Sequence, residues 1–264
     1  MFFLNRVAML RLHIPAALVA GSLSAGQLLG QAPPGQSELD AITARGRALA
    51  AYDRAAWQGS DAVLEFGPEG TTHYIARETD AGWVVAFGSL SSEADTFLVA
   101  FEARSEADAT RYQARSLSPP RADVDYLARA ARAIDTSVEA FGSATRPYNV
   151  AVLPESSGDW WVYLYPAPTQ SGVWPHGSDV RYRVSRDGRR VLEERRLHKE
   201  VIEYAPPPER TESGVHTAVM ADIVEDTDIL LVLTRQPPMP ELVITRSFFF
   251  TIDIDGHISC TIRR

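Results

Sequence analysis

The chain has 264 residues, of which 45% are hydrophobic and 23% are charged, a composition typical of globular proteins with room for a buried core. Its formal net charge of −8 and pI of about 5.3 argue against a nucleic-acid-binding protein, because such proteins present a basic surface. Cys260 is the one cysteine, so an intramolecular disulfide is excluded, and its place between isoleucines predicts a small buried hydrophobe.

Residues 1–32 resemble a secretory signal peptide in composition. Arg6 and Arg11 precede an apolar run over residues 14–29, and small residues follow between Ala25 and Ala32. This order is typical of a segment that is cleaved after export. Polar residues interrupt the run, which disfavours an uncleaved membrane anchor, and no later segment is apolar enough to cross a bilayer. We therefore expect a secreted or periplasmic protein, with residues 33–36 as a linker.

Residues 37–117 are predicted to form a helix followed by a β-meander. Ser37 begins the helix, and apolar residues keep helical spacing as far as Gly59. Residues 62–66 are a possible short strand. Alternating patterns then predict strands over residues 71–77, 83–87 and 96–103.

Residues 118–264 are predicted to form a second helix and a larger antiparallel sheet. The dipeptide Pro119-Pro120 is expected to break the chain and start the helix, which ends at Gly142. Its apolar stripe consists of Val124, Leu127, Ala131, Ile134, Val138 and Phe141. Strands follow over residues 149–153 and 160–165.

A two-residue turn at Asp187-Gly188 predicts a hairpin between residues 179–185 and the segment that begins at Val191. Pairing across this turn places Val184 opposite Val191, Arg183 opposite Leu192, and Arg181 opposite Glu194. Further strands are predicted over residues 216–220, 228–234, 241–254 and 258–262, with Asp255-Gly256 as a second hairpin turn.

The predicted fold class is α+β, with antiparallel sheet covered by two amphipathic helices. The order of helix, strands and a tryptophan-containing strand occurs twice, with Trp83 and Trp160 in matching positions. This order indicates a possible duplicated helix-plus-meander unit. The alternative is one continuous domain over residues 37–264, because such an order also arises by chance in α+β proteins.

Two constellations are candidates for function, although no specific catalytic motif is present. His198, His216 and Asp226 could form a metal or acid–base site if the strands around the proline-rich loop pair. The alternative is that these are structural histidines and a turn residue. The second candidate is an aromatic platform for ligand stacking, formed by Trp161, Tyr163, Tyr165 and Trp174. Its alternative is burial of these rings under a helix or loop.

The favoured function is a non-catalytic binding or accessory protein of the cell envelope or extracellular space. The expected partner is an unidentified protein or an envelope polymer, and no cofactor is expected. The alternative is a hydrolase, possibly metal-dependent, that uses His198, His216 and Asp226. Convergence of the histidines would favour the enzyme, and an exposed aromatic strip would favour the binding protein.

Overall fold

The computed structural model describes residues 32–106, 110–208 and 210–263. The predicted signal peptide lies outside these residues, apart from its last position. None of the helices in the described ranges combines the length and the apolar character that a membrane span requires. The α+β class with antiparallel sheets is confirmed, but a third helix joins the two that were predicted.

The first helix, α1 (Gln36–Val63), is longer than the sequence predicted. The possible strand at residues 62–66 is wrong, because the helix continues to Val63 and ends in a short 3-10 turn, Leu64–Phe66. Val63 is fully buried. It continues the apolar face of the helix one turn beyond Gly59, so burial extends the helix past its predicted end.

A four-stranded antiparallel meander follows α1, in the order β1-β2-β3-β4. Its strands are β1 (His73–Thr79), β2 (Gly82–Leu90), β3 (Phe97–Ser105) and β4 (Tyr112–Asp123). Strand β4 was not predicted, and it runs through Pro119-Pro120, across the predicted boundary at residue 118. An edge strand tolerates proline because one row of its N–H groups has no partner strand.

The second helix, α2 (Tyr126–Phe141), therefore begins later than predicted. Val124 precedes the helix and is 70% exposed, so its assignment to the apolar stripe is wrong. The rest of the stripe faces the protein: Leu127, Ala131 and Ile134 are buried. The helix packs against both neighbouring meanders.

The second meander has the strand order β5-β6-β8-β9. Its strands are β5 (Tyr148–Pro154), β6 (Trp160–Pro166), β8 (Val180–Val184) and β9 (Val191–Arg196). A helix followed by a four-stranded meander thus occurs twice. Trp83 and Trp160 both lie at the start of the second strand of their sheets.

The β8–β9 hairpin has the predicted partners only beside its turn. Val184 lies opposite Val191, but Arg183 faces Glu193 and Arg181 faces Arg195, because a bulge shifts the register. The turn is also longer than two residues: the Ser185 N–H donates to the Arg190 carbonyl at 2.9 Å. An extra residue on one strand moves every later pair by one position, so the predicted Arg181–Glu194 pair is absent.

The C-terminal region forms a third sheet, in the order β11-β12-β13-β14. The strands of this sheet are β11 (Gly214–Thr217), β12 (Glu241–Ile244), β13 (Phe248–Ile252) and β14 (Ile258–Ile262). Helix α3 (Asp226–Thr234) lies between β11 and β12 in the chain. Strands β11 and β12 are parallel and the other pairs are antiparallel. The predicted strand over residues 241–254 is wrong, because a turn at Thr245 splits it into β12 and β13.

The predicted strand over residues 228–234 is also wrong, because these residues belong to helix α3. Residues Ile229 to Val232 are all buried, so the segment shows no polar face. A short apolar run without a polar face does not distinguish a buried helix from a buried strand.

Helix α1 connects the three sheets. Leu39 and Ile42, near its N-terminus, belong to a core shared with α3 and the third sheet. Leu49 and Tyr52, further along, belong to a larger core shared with both meanders. A small two-stranded sheet, β7 (Trp174–His176) with β10 (Ile202–Tyr204), lies between the second meander and the third sheet.

Candidate metal centre

Three histidines and one aspartate from separate elements converge between the second meander and the third sheet. His176 ends β7, His198 follows β9, His216 lies in β11, and Asp228 lies in the first turn of α3. Each offers one ligand atom, and these four atoms lie within 4.8 Å of one another. We refer to these four residues as the His3Asp cluster.

Backbone pairing fixes where each histidine lies. In the small sheet, His176 pairs with Ile202, which places β7 next to the segment that carries His198. In the third sheet, His216 pairs with Val243 on the parallel strand β12. The cluster therefore depends on contacts between segments that are far apart in sequence.

The imidazole Nε2 atoms surround one carboxylate oxygen of Asp228. The distances to Asp228 Oδ1 are 2.9 Å from His176, 3.1 Å from His198 and 3.1 Å from His216. The side chains are almost removed from solvent: the exposed fractions are 4% for His176, 9% for His198, 5% for His216 and 0% for Asp228. None of the four atoms has a partner with the geometry of a hydrogen bond. They face a common point between them instead.

A carboxylate holds the second ring nitrogen of two of these histidines. His198 Nδ1 lies 2.8 Å from Asp179 Oδ1, and His216 Nδ1 lies 2.9 Å from Glu241 Oε1. A proton on each Nδ1 completes these hydrogen bonds and leaves the Nε2 lone pair available. Carboxylate–histidine pairs of this kind orient the imidazoles that bind metal ions.

Asp228 and Glu241 are also held by hydrogen bonds from groups outside the cluster. Asp228 Oδ2 accepts a hydrogen bond of 2.7 Å from the Glu225 backbone N–H, within a capping box that begins α3. Glu241 accepts further hydrogen bonds from the Tyr204 hydroxyl at 2.8 Å and from Arg235 at 2.7 Å. These contacts leave Asp228 Oδ1 as the oxygen that faces the imidazoles.

When the imidazoles are neutral, two negative charges around the cluster have no positive counterpart. Asp228, Asp179 and Glu241 are carboxylates, and Arg235 compensates one of them. Isolated negative charge is costly in a buried site, so two positive charges are expected there. A divalent cation supplies them, and so do two protons.

The pKa shifts of the three histidines describe how the cluster is protonated when it holds no metal ion. Burial opposes a charge on His216, but the hydrogen bonds and charges of Asp228 and Glu241 outweigh it and raise the pKa of His216 to about 9. Burial likewise disfavours the charged form of His198, yet Asp179 and Asp228 raise its pKa. Burial lowers the pKa of His176. Two imidazoliums therefore balance the site when no metal ion is bound.

Comparisons with protein-family models, with curated proteins and with solved structures return no match. The function is therefore argued from the site itself.

Two of the three residues of the metal hypothesis, His198 and His216, lie in the cluster, and Asp226 does not. Its carboxylate accepts hydrogen bonds from Arg45 at 3.0 Å, from the Tyr163 hydroxyl at 2.9 Å, and from Arg181. Asp226 is fully buried and saturated by these donors. Residues two apart at the start of a helix point in different directions, which separates Asp226 from Asp228.

The aromatic platform does not hold for its two tyrosines. Tyr163 and Tyr165 are buried, and their hydroxyls donate to Asp226 and Asp53 respectively. Trp161 and Trp174 are half-buried, and the Arg181 guanidinium lies 4.7 Å from the centre of the Trp161 ring. The rings thus do not form one exposed strip.

Sequence reasoning missed His176 and Asp228. His176 follows Trp174-Pro175 in a segment that appeared to be a loop, and Asp228 was assigned to a strand. One signal was available: Glu225 and Asp228 are three residues apart before an apolar run, the spacing of a capping box. That spacing predicts a helix start with Asp228 in its first turn.

Proposed function

We propose that this protein is an exported, non-catalytic metal-binding protein that holds one divalent transition-metal ion, best fitted by Zn²⁺, in the His3Asp cluster. The single observation that carries the proposal is that three buried Nε2 atoms and Asp228 Oδ1 lie within 4.8 Å of one another without hydrogen-bond geometry. Nitrogen and oxygen donors of this kind are ordinary zinc ligands.

The spacing of the donors suits a tetrahedral ion. Bonds of about 2.0 Å to zinc imply ligand–ligand distances of about 3.3 Å in a tetrahedron. The three distances to Asp228 Oδ1 are 2.9–3.1 Å, and all four ligand atoms lie within 4.8 Å of one another, so small shifts of the side chains would accommodate the ion.

A closed set of four protein ligands supports a non-catalytic role. Catalytic zinc sites keep one coordination position for water or substrate, whereas structural sites fill all four with side chains. Each of the four side chains is at most 9% exposed. A metal-dependent hydrolase would need an open position on the ion, so four side-chain ligands favour the non-catalytic role.

The proposed role of the ion is structural. It joins the small β7–β10 sheet, the end of β9, the third sheet and helix α3 at one point. Because Cys260 is the one cysteine of the chain, no disulfide can make this connection. A metal ion that binds only the folded chain contributes its binding free energy to folding.

Metal analysis tests this proposal. Protein purified without an affinity tag that binds metals is expected to contain close to one zinc ion per chain. The His216→Ala and Asp228→Asn variants are expected to lose the ion. The His257→Ala variant is the matched control and keeps the metal, because His257 is exposed and lies outside the cluster. Replacement by Co²⁺ is expected to give the intense visible absorption of a tetrahedral site.

The competing interpretation is a cluster that holds two protons instead of a metal ion. The same experiment distinguishes the two interpretations. Protein that contains no metal and neither binds added Zn²⁺ nor gains thermal stability from it would contradict the proposal. The two bound positive charges would then be protons on His198 and His216.

Export is a separate part of the proposal and is supported by the residue pattern of positions 1–32 alone. Expression of the full chain in a secreting host is expected to yield a mature N-terminus that begins between Ala25 and the start of the linker at residue 33. Retention of residues 1–24 in the mature protein would contradict it. N-terminal sequencing makes this measurement.

A further inference from the structure

The face of the first meander that is partly covered by α2 contains a cleft with several arginines. Arg77 of β1, Arg104 of β3 and Arg121 of β4 line it, together with Glu102 of β3. We call this region the arginine cleft. It is separate from the His3Asp cluster, which lies between the second meander and the third sheet.

Glu102 holds three guanidinium groups at the cleft. Arg104 Nε donates to Glu102 Oε1 at 2.7 Å, and the Nη2 atoms of Arg115 and Arg121 donate to its two oxygens at 2.8 Å and 3.0 Å. The Glu102 side chain is 1% exposed, and the three arginine side chains are 47–57% exposed. The carboxylate thus lies beneath the guanidiniums and positions them at the surface.

Each guanidinium directs one nitrogen to Glu102, and a guanidinium has five N–H donors in a planar fork. Arg104, Arg115 and Arg121 thus share one anchor and have donors that these contacts with Glu102 do not use, on side chains that are 47–57% exposed. Guanidiniums with this preorganisation bind carboxylate and phosphate groups in a bidentate manner.

The cleft is locally cationic in a chain whose formal net charge is −8. Arg77, together with the three arginines held by Glu102, gives four positive groups, and the nearby carboxylates are Glu102 and Asp123. Asp123 Oδ1 accepts hydrogen bonds from the Asp125 and Leu127 backbone N–H groups, so this carboxylate is engaged at the start of α2. An excess of positive charge stays at the mouth of the cleft.

The floor of the cleft is apolar. Ile75, Val84, Ala86 and Leu127 contribute to its lining, and the cleft has a volume of about 170 Å³. Binding sites for small molecules combine an apolar surface with a few convergent polar groups that fix orientation. A floor of this kind favours an occupant with an apolar part next to its anionic group.

We propose that the arginine cleft binds a small organic anion, with a carboxylate or phosphate held by Arg104 and Arg121 and an apolar portion against the partly exposed Val84. Glu102 is a positioning residue, since it holds the guanidiniums and does not face the ligand. One guanidinium is enough to neutralise Glu102, and this carboxylate has three within 3.0 Å.

Phenyl phosphate is a suitable probe, with inorganic phosphate and phenol as its two halves. Titration calorimetry at low salt is expected to give saturable binding of phenyl phosphate to the full chain at millimolar concentration. The affinity is expected to fall at least tenfold in the Arg121→Gln and Arg104→Gln variants and to weaken as salt is added. The matched control is Arg196→Gln, since Arg196 is an exposed arginine on another sheet.

Three results would overturn the proposal. The first is absence of saturable binding of phenyl phosphate. The second is equal affinity in the wild type and in both cleft variants while thermal unfolding shows that they are folded. The third is binding of inorganic phosphate as tight as that of phenyl phosphate, which would leave the apolar floor without a role.

Discussion

Asp228 combines two tasks because its two oxygens face different partners. Oδ2 caps the first turn of α3 through the Glu225 N–H, and Oδ1 faces the three imidazoles. The cap fixes the side chain, so Oδ1 is already oriented before any ion binds. Burial favours the neutral acid, yet the three histidines hold the pKa of Asp228 well below its ordinary value, so this carboxylate is charged.

The carboxylates that hold the histidines, Asp179 and Glu241, should influence the affinity for zinc. The Asp179→Asn variant is expected to bind Zn²⁺ about 10–100-fold more weakly, because the amide orients and polarises His198 less well than the carboxylate does. Competition with a chromogenic chelator measures the affinity. Asp253→Asn, an exposed position outside the cluster, is the control. Equal affinities for all three proteins would show that Asp179 has no part in metal binding.

The pH dependence of the free energy of unfolding should reveal how much the charge of Glu102 contributes to stability. Burial disfavours its charge, but the hydrogen bonds of Arg104 and Arg115 outweigh burial and lower the pKa of Glu102. A carboxyl whose pKa is lowered on folding stabilises the protein above its unfolded pKa, and this contribution is lost as pH falls through the folded pKa.

Glu102→Gln is accordingly expected to cost about 2 kcal/mol of unfolding free energy at neutral pH, the scale of charge-assisted hydrogen bonds. The difference from wild type should shrink towards acidic pH. Urea unfolding at a series of pH values measures it. A difference that is constant from neutral to acidic pH would mean that the charge of Glu102 contributes nothing.

At the scale of elements, the contact between α1 and α3 controls where Asp228, the proposed metal ligand, lies. The two helices approach closely at Gly46 of α1. A Cβ at that position would overlap Ile229 and would lie 2.8 Å from the Asp226 carbonyl oxygen. Glycine therefore permits the close approach that places the start of α3 beside α1.

Gly46→Ala should consequently destabilise the protein, although alanine is the better helix former. We expect a loss of about 1–3 kcal/mol from overpacking, which exceeds the gain of about 1 kcal/mol from helix propensity. Ala48→Gly on the exposed face of the same helix is the matched control and should cost only the propensity difference. Stabilisation by Gly46→Ala would contradict the close packing of α1 on α3. Chemical denaturation measures both values.

Helix α2 was predicted and helix α3 was not, and the two differ in whether they have a polar face. Helix α2 alternates buried Leu127 and Ile134 with solvated residues, so its period was visible. Helix α3 has an apolar run from Ile229 to Val232 that is buried all round, so its period was hidden. Strand β4 was missed because Pro119-Pro120 resembles a break, and only its position at a sheet edge makes the prolines tolerable.

At the scale of the whole molecule, the proposed ion would connect the second meander to the third sheet. Its removal should therefore lower the stability of the folded chain. At free zinc about a thousandfold above the dissociation constant, the ion contributes about 4 kcal/mol. A chelator is expected to lower the unfolding temperature of the wild type and to leave that of Asp228→Asn unchanged. Equal responses of the two proteins in a thermal scan would contradict this role.

The sequence by itself determined the fold class, the recurring order of a helix followed by strands, and the exclusion of an intramolecular disulfide. These properties follow from local periodicity and composition, which act between neighbours in the chain. Only the tertiary structure decided the candidate site. His176, His198, His216 and Asp228 come from four segments, and no local pattern records which of them meet. Their convergence depends on long-range pairing and on the packing of α3, because donor atoms become a site only when the whole chain places them within a few ångströms of each other.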